Sequence, residues 1–267
     1  MKPDAFAHLP HLRGKVTAPC DSELRTTAEV LAVWDQRARS LGRPNNWRLS
    51  NQELEASMHA FLAGIAPRQD LWVFSYGSLM WNPGFHFAEV RMAKLDGHQR
   101  CFSLKVDLGR GTVEFPALVL SLENQAGCCS GLAFRVVADQ LEDELAILWR
   151  REMIQGSYVP AMLPMATPQG NITALAFTSN RSSINYVGAQ ALDETAAVIA
   201  RASGFIGSNQ EYLEQLATQL ACLAIDDQYV TQLLAHVRNF ATPLKCHHPG
   251  LPADLKDSTG RYRVDRA

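Results

Sequence analysis

The sequence predicts a mixed α+β fold: a strongly curved or closed β-sheet with one helix against it and further helices before and after. Three observations predict it. Between Leu71 and Phe177 the chain falls into short apolar, β-rich runs punctuated by Gly, Pro and Asn. Within that region Leu141, Leu145 and Leu148 switch to the three-and-four spacing of a helical stripe. Helical patterns with cap residues occupy both flanks.

In chain order, residues 27–40 read as a helix closed by Gly42, and Ser50 with Glu53 opens a second one. The apolar positions of that second helix are Leu54, Met58, Phe61, Leu62 and Ile65, and the pattern ends at Pro67. Strands are expected at 71–76, 90–95, 101–106, 115–122, 129–137, 158–165 and 172–177. Asp139 and Glu142 have capping-box spacing and open the helix that interrupts them. Helices return at 193–202, at a start marked by Ser208 and Glu211, and at 227–240. Residues 1–70 thus form an N-terminal helical extension, 71–241 the main domain, and 242–267 a polar, proline-containing tail.

Glu152 continues the Leu141–Leu145–Leu148 stripe, which puts a carboxylate on the apolar face of its helix. A buried carboxylate has to be paired, hydrogen-bonded or protonated, and burial lifts its pKa toward the range a general base or acid needs. The spacing alone leaves a second reading open, a pairing with Arg150 or Arg151 at the helix end.

Composition removes several function classes. A net charge of -2 over 267 residues offers no basic field for nucleic acid or anionic membranes. No apolar run approaches the roughly 20 residues that span a bilayer, and a start carrying Asp4, His8 and Pro10 has no signal-peptide core, so the chain reads as cytoplasmic. The six cysteines (Cys20, Cys101, Cys128, Cys129, Cys222 and Cys246) show neither a disulfide framework nor paired metal-ligand spacing. Cys246-His247-His248 could bind a metal only through a sharp turn, and no cofactor is expected.

A second feature follows the first strand: Tyr76-Gly77-Ser78-Leu79-Met80-Trp81. Gly77 permits a tight turn and close backbone approach, so successive amides can aim at a carboxylate or an oxyanion. Met80, two residues after Ser78, stands where a nucleophile elbow requires glycine, which casts Ser78 as a binder. Gly109-Arg110-Gly111 lacks the Gly-Lys pair of a phosphate loop.

These residues carry a resemblance. The run from Leu71 through Tyr76-Gly77-Ser78-Leu79 to Pro83, then Asp96-Gly97-His98-Gln99-Arg100-Cys101-Phe102, Arg151-Glu152-Met153, Gly156-Ser157-Tyr158, Tyr186-Val187-Gly188 and the stretch from Gly204 to Leu213 resemble the ChaC family of gamma-glutamylcyclotransferases. The extension at 1–70 lies outside it. Ser75 stands where many members have glycine, and Gly156-Ser157 where many have a glycine pair. The segment from Val106 to Glu114 lacks the His-Arg-Gly run of animal relatives.

The resemblance implies a gamma-glutamylcyclotransferase-like curved or closed mixed sheet or barrel, and a lyase that degrades glutathione. The α-amine of the γ-glutamyl group would attack its own γ-carbonyl, giving pyroglutamate and Cys-Gly, a ring closure that needs conformation and proton transfer and no cofactor. The family's catalytic acid/base falls on Glu152. Its substrate-binding loop falls on Tyr76, Gly77, Ser78 and Leu79, with Arg100, Tyr158 and Tyr186 as further contacts or packing residues. Glutathione is the expected partner. The alternatives are a cyclotransferase for another γ-glutamyl compound and a non-catalytic γ-glutamyl-metabolite-binding regulator of cation transport. Oligomeric state and the purpose of the extension are not readable, although completing the core is the favoured purpose.

Overall fold

Thr27 accepts a hydrogen bond from the Val30 amide and opens helix α1 (Ala28–Ser40), and a complete Ser50/Glu53 capping box opens α2 (Asn51–Leu62). These elements begin a computed structural model that describes residues 4–240. The expected tail at 242–267 and the Cys246-His247-His248 run lie outside the described residues.

The sheet follows: β1 (Leu71–Ser75), β2 (Glu89–Val106), β3 (Ala117–Val136), β4 (Tyr158–Met165) and β5 (Ile172–Ser179). Their order is β2-β3-β1-β5-β4, with β1 parallel to β5 and every other pair antiparallel. Two backbone hydrogen bonds between Lys94 and Ala166 (2.9 and 3.0 Å) join β2 to the residue after β4, so the two ends of the sheet meet. The sheet is thereby curved almost to closure.

Two expected strand pairs fuse. Residues 90–95 and 101–106 are one strand, as are 115–122 and 129–137. The Gly97 signal between the first pair marks a register shift at Asp96/His98 within a continuous ladder, and a second shift follows at Phe102/Leu104. A glycine inside a strand often marks a bulge or bend within it rather than its end.

Helix α3 (Leu141–Glu152) lies after β3, and Leu141, Leu145 and Leu148 are buried as the stripe requires. The Asp139/Glu142 capping box does not form. A 3-10 turn at Ala138–Gln140 runs directly into the helix, which puts Asp139 inside that turn and leaves Gln140 as the cap. After β5 come α4 (Leu192–Arg201), the two-residue strands β6 (Ser203–Gly204) and β7 (Gly207–Ser208), α5 (Asn209–Cys222) and α6 (Gln228–Phe240). Ser208 and Glu211 form the second complete capping box. Buried Asn209 fixes the start of α5 on β3, accepting from the Leu118 amide and donating to the Leu118 carbonyl, both at 2.8 Å. None of the helices among the described residues is long and apolar enough to cross a membrane.

The N-terminal region shares the core of the sheet: Leu9, Leu12, Val16, Leu31, Leu54 and Met58 belong to the same buried cluster as β1, β3 and α3. A polar network reinforces the join. Arg25 donates two hydrogen bonds to Glu144 of α3 (2.7 and 3.0 Å), and Glu144 also accepts from the His86 amide and faces His86 Nδ1 at 2.7 Å. With its side chain 6% exposed, Glu144 would titrate upward from burial alone, but Arg25 and the His86 contacts hold its carboxyl below the ordinary value. Stabilisation from this group is therefore complete above the ordinary carboxylate pKa and disappears as pH falls through the lower folded-state value. Arg25→Ala leaves the buried carboxylate without its main partner and is expected to lower stability by about 3 kcal/mol in urea unfolding at neutral pH.

Candidate active site

One end of the sheet gathers the features singled out in the sequence. The pairing directions bring the C-terminal ends of β1 and β2 together with the starts of β3 and β4, and α3 ends there with Glu152. Between them lies a cavity of about 630 Å³ whose walls include Ser78, Leu104, Val119, Arg151, Glu152 and Tyr158. A deeper recess of about 30 Å³, lined by Tyr76, Gly77, Ser78, Leu79 and Leu120, shares Ser78, Glu152, Tyr158 and Tyr212 with the main chamber. It has room for a group the size of one water or one carboxylate.

The turn after β1 owes its shape to Gly77. Its backbone (φ −136°, ψ −137°) leads into a 3-10 turn at Ser78–Met80, and a Cβ there would sit 3.0 Å from the Tyr212 hydroxyl and 3.4 Å from Leu120. A side chain would therefore fill the recess.

Glu152 is enclosed by protein, with 15% of its side chain exposed, and Arg151 Nε lies 3.1 Å from Oε1. Burial raises its pKa from the ordinary carboxylate value and Arg151 pulls it part of the way back. The two sequence readings of Glu152 thus coexist: it pairs with its neighbour and it faces the cavity. Arg151 is itself held in place, donating to the Asn82 carbonyl (2.7 Å) and the Ser78 hydroxyl (2.9 Å). One guanidinium links the acidic group to the turn.

Three tyrosines surround the carboxylate. The Tyr76 hydroxyl donates to the Phe177 carbonyl and that of Tyr158 to the Leu120 carbonyl, each at 2.7 Å. Tyr212 is pushed up to about 12 by burial, and all three stay protonated donors because burial and the nearby Glu152 disfavour phenolate. Arg110 reaches the cavity from the β2–β3 connection, donates to the Ser208 carbonyl at 2.8 Å and stacks over the Tyr212 ring at 5.2 Å.

Of the residues nominated in the sequence, Glu152, Tyr76, Gly77, Ser78, Leu79 and Tyr158 meet at this site. Arg100 and Tyr186 do not line it. Arg100 is buried, with Nε 3.2 Å from Asp227 before α6 and Nη2 donating to the Ser130 carbonyl, so it ties strands to a helix. The Tyr186 hydroxyl donates to Glu123 (3.1 Å), a buried carboxylate that also takes hydrogen bonds from Ser103, Ser121 and Ser179. Sequence reasoning missed Tyr212, Arg110 and a wall from the N-terminal region. Arg110 did carry a signal, a cation between two glycines in a connection, whereas Tyr212 reads as one more apolar position of α5. Among the described residues no group of three or more His, Cys, Asp or Glu could hold a metal ion.

The nearly closed mixed sheet with its flanking helices has the fold of the γ-glutamyl cyclotransferases. The yeast γ-glutamyl cyclotransferase specific to glutathione superposes with a TM-score of 0.60 at 22% identity, covering 67% of this chain and 99% of that one. The family described as ChaC-like protein matches residues 71–240, and the chain belongs to that family. The glutathione-specific gamma-glutamylcyclotransferase of Escherichia coli K12 is 36% identical over 190 residues, 71% of this chain and 82% of that protein. Glutathione-specific gamma-glutamylcyclotransferase 1 of Danio rerio is 32% identical over 184 residues, 65% of this chain and 94% of its own length.

Two carboxylates of α3 are shifted in opposite directions, which a carboxyl-carbon NMR titration resolves. Glu152 is expected to titrate above the ordinary value near 4.5 and Glu144 below it.

Proposed function

We propose that this protein is a glutathione-specific gamma-glutamylcyclotransferase, with Glu152 as the proton-transfer group. The observation that carries the reading is the placement of Glu152, a largely enclosed carboxylate with a raised pKa facing the same recess as the Tyr76–Leu79 turn. Its relatives' names supply the substrate class.

The reaction needs no external nucleophile. The α-nitrogen of glutathione forms a bond to its own γ-carbon, and the bond from that carbon to the cysteine nitrogen breaks. The α-ammonium loses two protons in becoming a lactam N–H, and the departing cysteine nitrogen gains two in becoming an ammonium, so atoms and charge balance. Glu152 accepts a proton on one side and returns it on the other. The remaining task is to hold an extended γ-glutamyl chain curled for ring closure.

The recess supports that task. The backbone of Gly77, Ser78 and Leu79 offers amide dipoles to the α-carboxylate or to the developing oxyanion. Tyr158 supplies a wall beside Glu152, and Arg151 positions the carboxylate and favours its ionised form against the effect of burial. Tyr76 shapes the recess, its hydroxyl being committed to Phe177. Arg110 supplies a desolvated cation for the terminal carboxylate of glutathione. Burial strips water from its guanidinium, which favours an anionic partner in the chamber.

The purified protein is expected to release pyroglutamate and Cys-Gly from glutathione. Glu152→Gln keeps the shape and removes the titrating group, and kcat should fall by about 10³-fold with folding unchanged. The base must be ionised, so kcat rises as pH increases through the raised Glu152 pKa, giving an acidic limb above pH 4.5 that the Gln variant lacks. Arg110→Gln should raise KM for glutathione about tenfold with little change in kcat. Absence of product from a well-folded parent would remove this reading, and a panel of other γ-glutamyl compounds would then separate a different substrate from a protein that only binds.

A further inference from the structure

The cavity is not built by the family-matched region alone. Thr17, Leu24 and Trp34 line it, and all three precede residue 71, where the ChaC-like match begins. The N-terminal region holds this wall against three parts of the site. The Thr17 amide donates to the Trp81 carbonyl at 2.8 Å and the Ser22 hydroxyl to Asn82 Oδ1 at 2.5 Å, both just beyond the Ser78 turn. The Leu49 amide donates to the Ile154 carbonyl at 2.9 Å, two residues past Glu152. Arg43 pairs with Asp107 at 2.6 Å, at the end of β2. Gly84 completes the seat: its φ is +73°, and a Cβ there would lie 3.0 Å from the Leu24 carbonyl, so the two backbones pack directly.

The chamber divides by size and chemistry. The end shared with the recess holds Ser78, Glu152, Tyr158 and Tyr212, and on the proposed function it takes the γ-glutamyl group. The rest of the roughly 630 Å³ exceeds what that group fills, and Leu24, Trp34, Leu108 and Arg110, with Asp21 and Glu23, line the chamber but not the recess. Whatever leaves the γ-carbon must occupy this space. An indole brings a broad, stiff apolar face at low entropic cost, suited to the side chain of a departing peptide.

We propose that Trp34, which lines the chamber together with Leu24, is a specificity-determining residue of the leaving-group chamber, through which the N-terminal region selects γ-glutamyl peptides with a dipeptide leaving group over γ-glutamyl amino acids. The inference rests on the proposed cyclotransferase reading for its substrates and goes beyond it in assigning a substrate contact outside the family-matched residues.

The test measures pyroglutamate release from glutathione and from γ-glutamyl-L-alanine, whose leaving group is a single small residue. Trp34→Ala should raise KM for glutathione about fivefold or more, leave kcat within twofold, and change kcat/KM for γ-glutamyl-L-alanine by less than twofold. Trp34→Phe should keep most of the parent's preference. A merely structural role would lower turnover of both substrates together, and that result, or an unchanged KM for glutathione, would overturn the proposal. If the folded parent turns over neither compound, the cyclotransferase reading fails by itself. Calorimetric titration of glutathione into parent and Trp34→Ala then decides: weaker binding by the variant upholds the wall, whereas equal binding, or none by the parent, overturns it.

Discussion

The desolvation of one carboxylate at the end of one helix sets the terms for the rest of the site. Glu152 stands in the last turn of α3, where the helix macrodipole presents its negative end and opposes a further negative charge. Burial adds to that opposition, and Arg151 offsets it in part. The outcome is a carboxyl that holds its proton more readily than a surface acid does, with Arg151 working the other way. Arg151 cannot supply this balance alone, because a buried guanidinium needs acceptors of its own. The Asn82 carbonyl and the Ser78 hydroxyl provide them, so the turn after β1 and the end of α3 are fixed by the same hydrogen bonds.

The contrast with Glu144, two turns earlier on the same helix, shows that environment and not residue type assigns the role. Both carboxylates are shielded from water. Glu144 receives a bidentate guanidinium and a backbone amide and is held ionised, which makes it a fastener between α3 and the N-terminal region. Glu152 receives a single side-on contact from Arg151 and keeps a raised pKa. The N-terminal region therefore bears on the site twice, by anchoring the helix that carries the carboxylate and by lining the chamber the carboxylate faces.

Periodicity alone puts Glu152 on the stripe that α3 turns inward, because a helical stripe has one geometry and an acid on it stands out. The Ser50/Glu53 and Ser208/Glu211 boxes were legible for a similar reason, being local and self-contained. Asp139/Glu142 had the same spacing and failed, since the chain enters α3 through a 3-10 turn that spacing does not register. In sequence the long hairpin has the pattern of four strands, because register shifts and turns share their glycine signal. Arg100 and Tyr186 show a further limit: each lies within a family-like motif, yet their partners, Asp227 and Glu123, are 127 and 63 residues away in sequence. Arg110 and Trp34 were invisible as neighbours for the same reason, because only the folded chain brings them to one chamber.

The pairing of β1 has a consequence for the order in which the site is assembled. This five-residue strand precedes the Tyr76–Leu79 turn, yet its ladder partners are Leu132 to Val136 on one side and Ala174 and Leu175 on the other. The Tyr76 hydroxyl waits likewise for Phe177. On a ribosome the Tyr76–Leu79 turn is among the first parts of the matched region to be made, and it acquires its final neighbours only after about a hundred more residues have followed. Such distant pairing has to close large loops before any contact compensates the lost entropy, which slows folding and leaves β1 unpaired in the interval. A nascent chain halted before β5 would carry the whole of α3, Glu152 included, and still have no enclosed site.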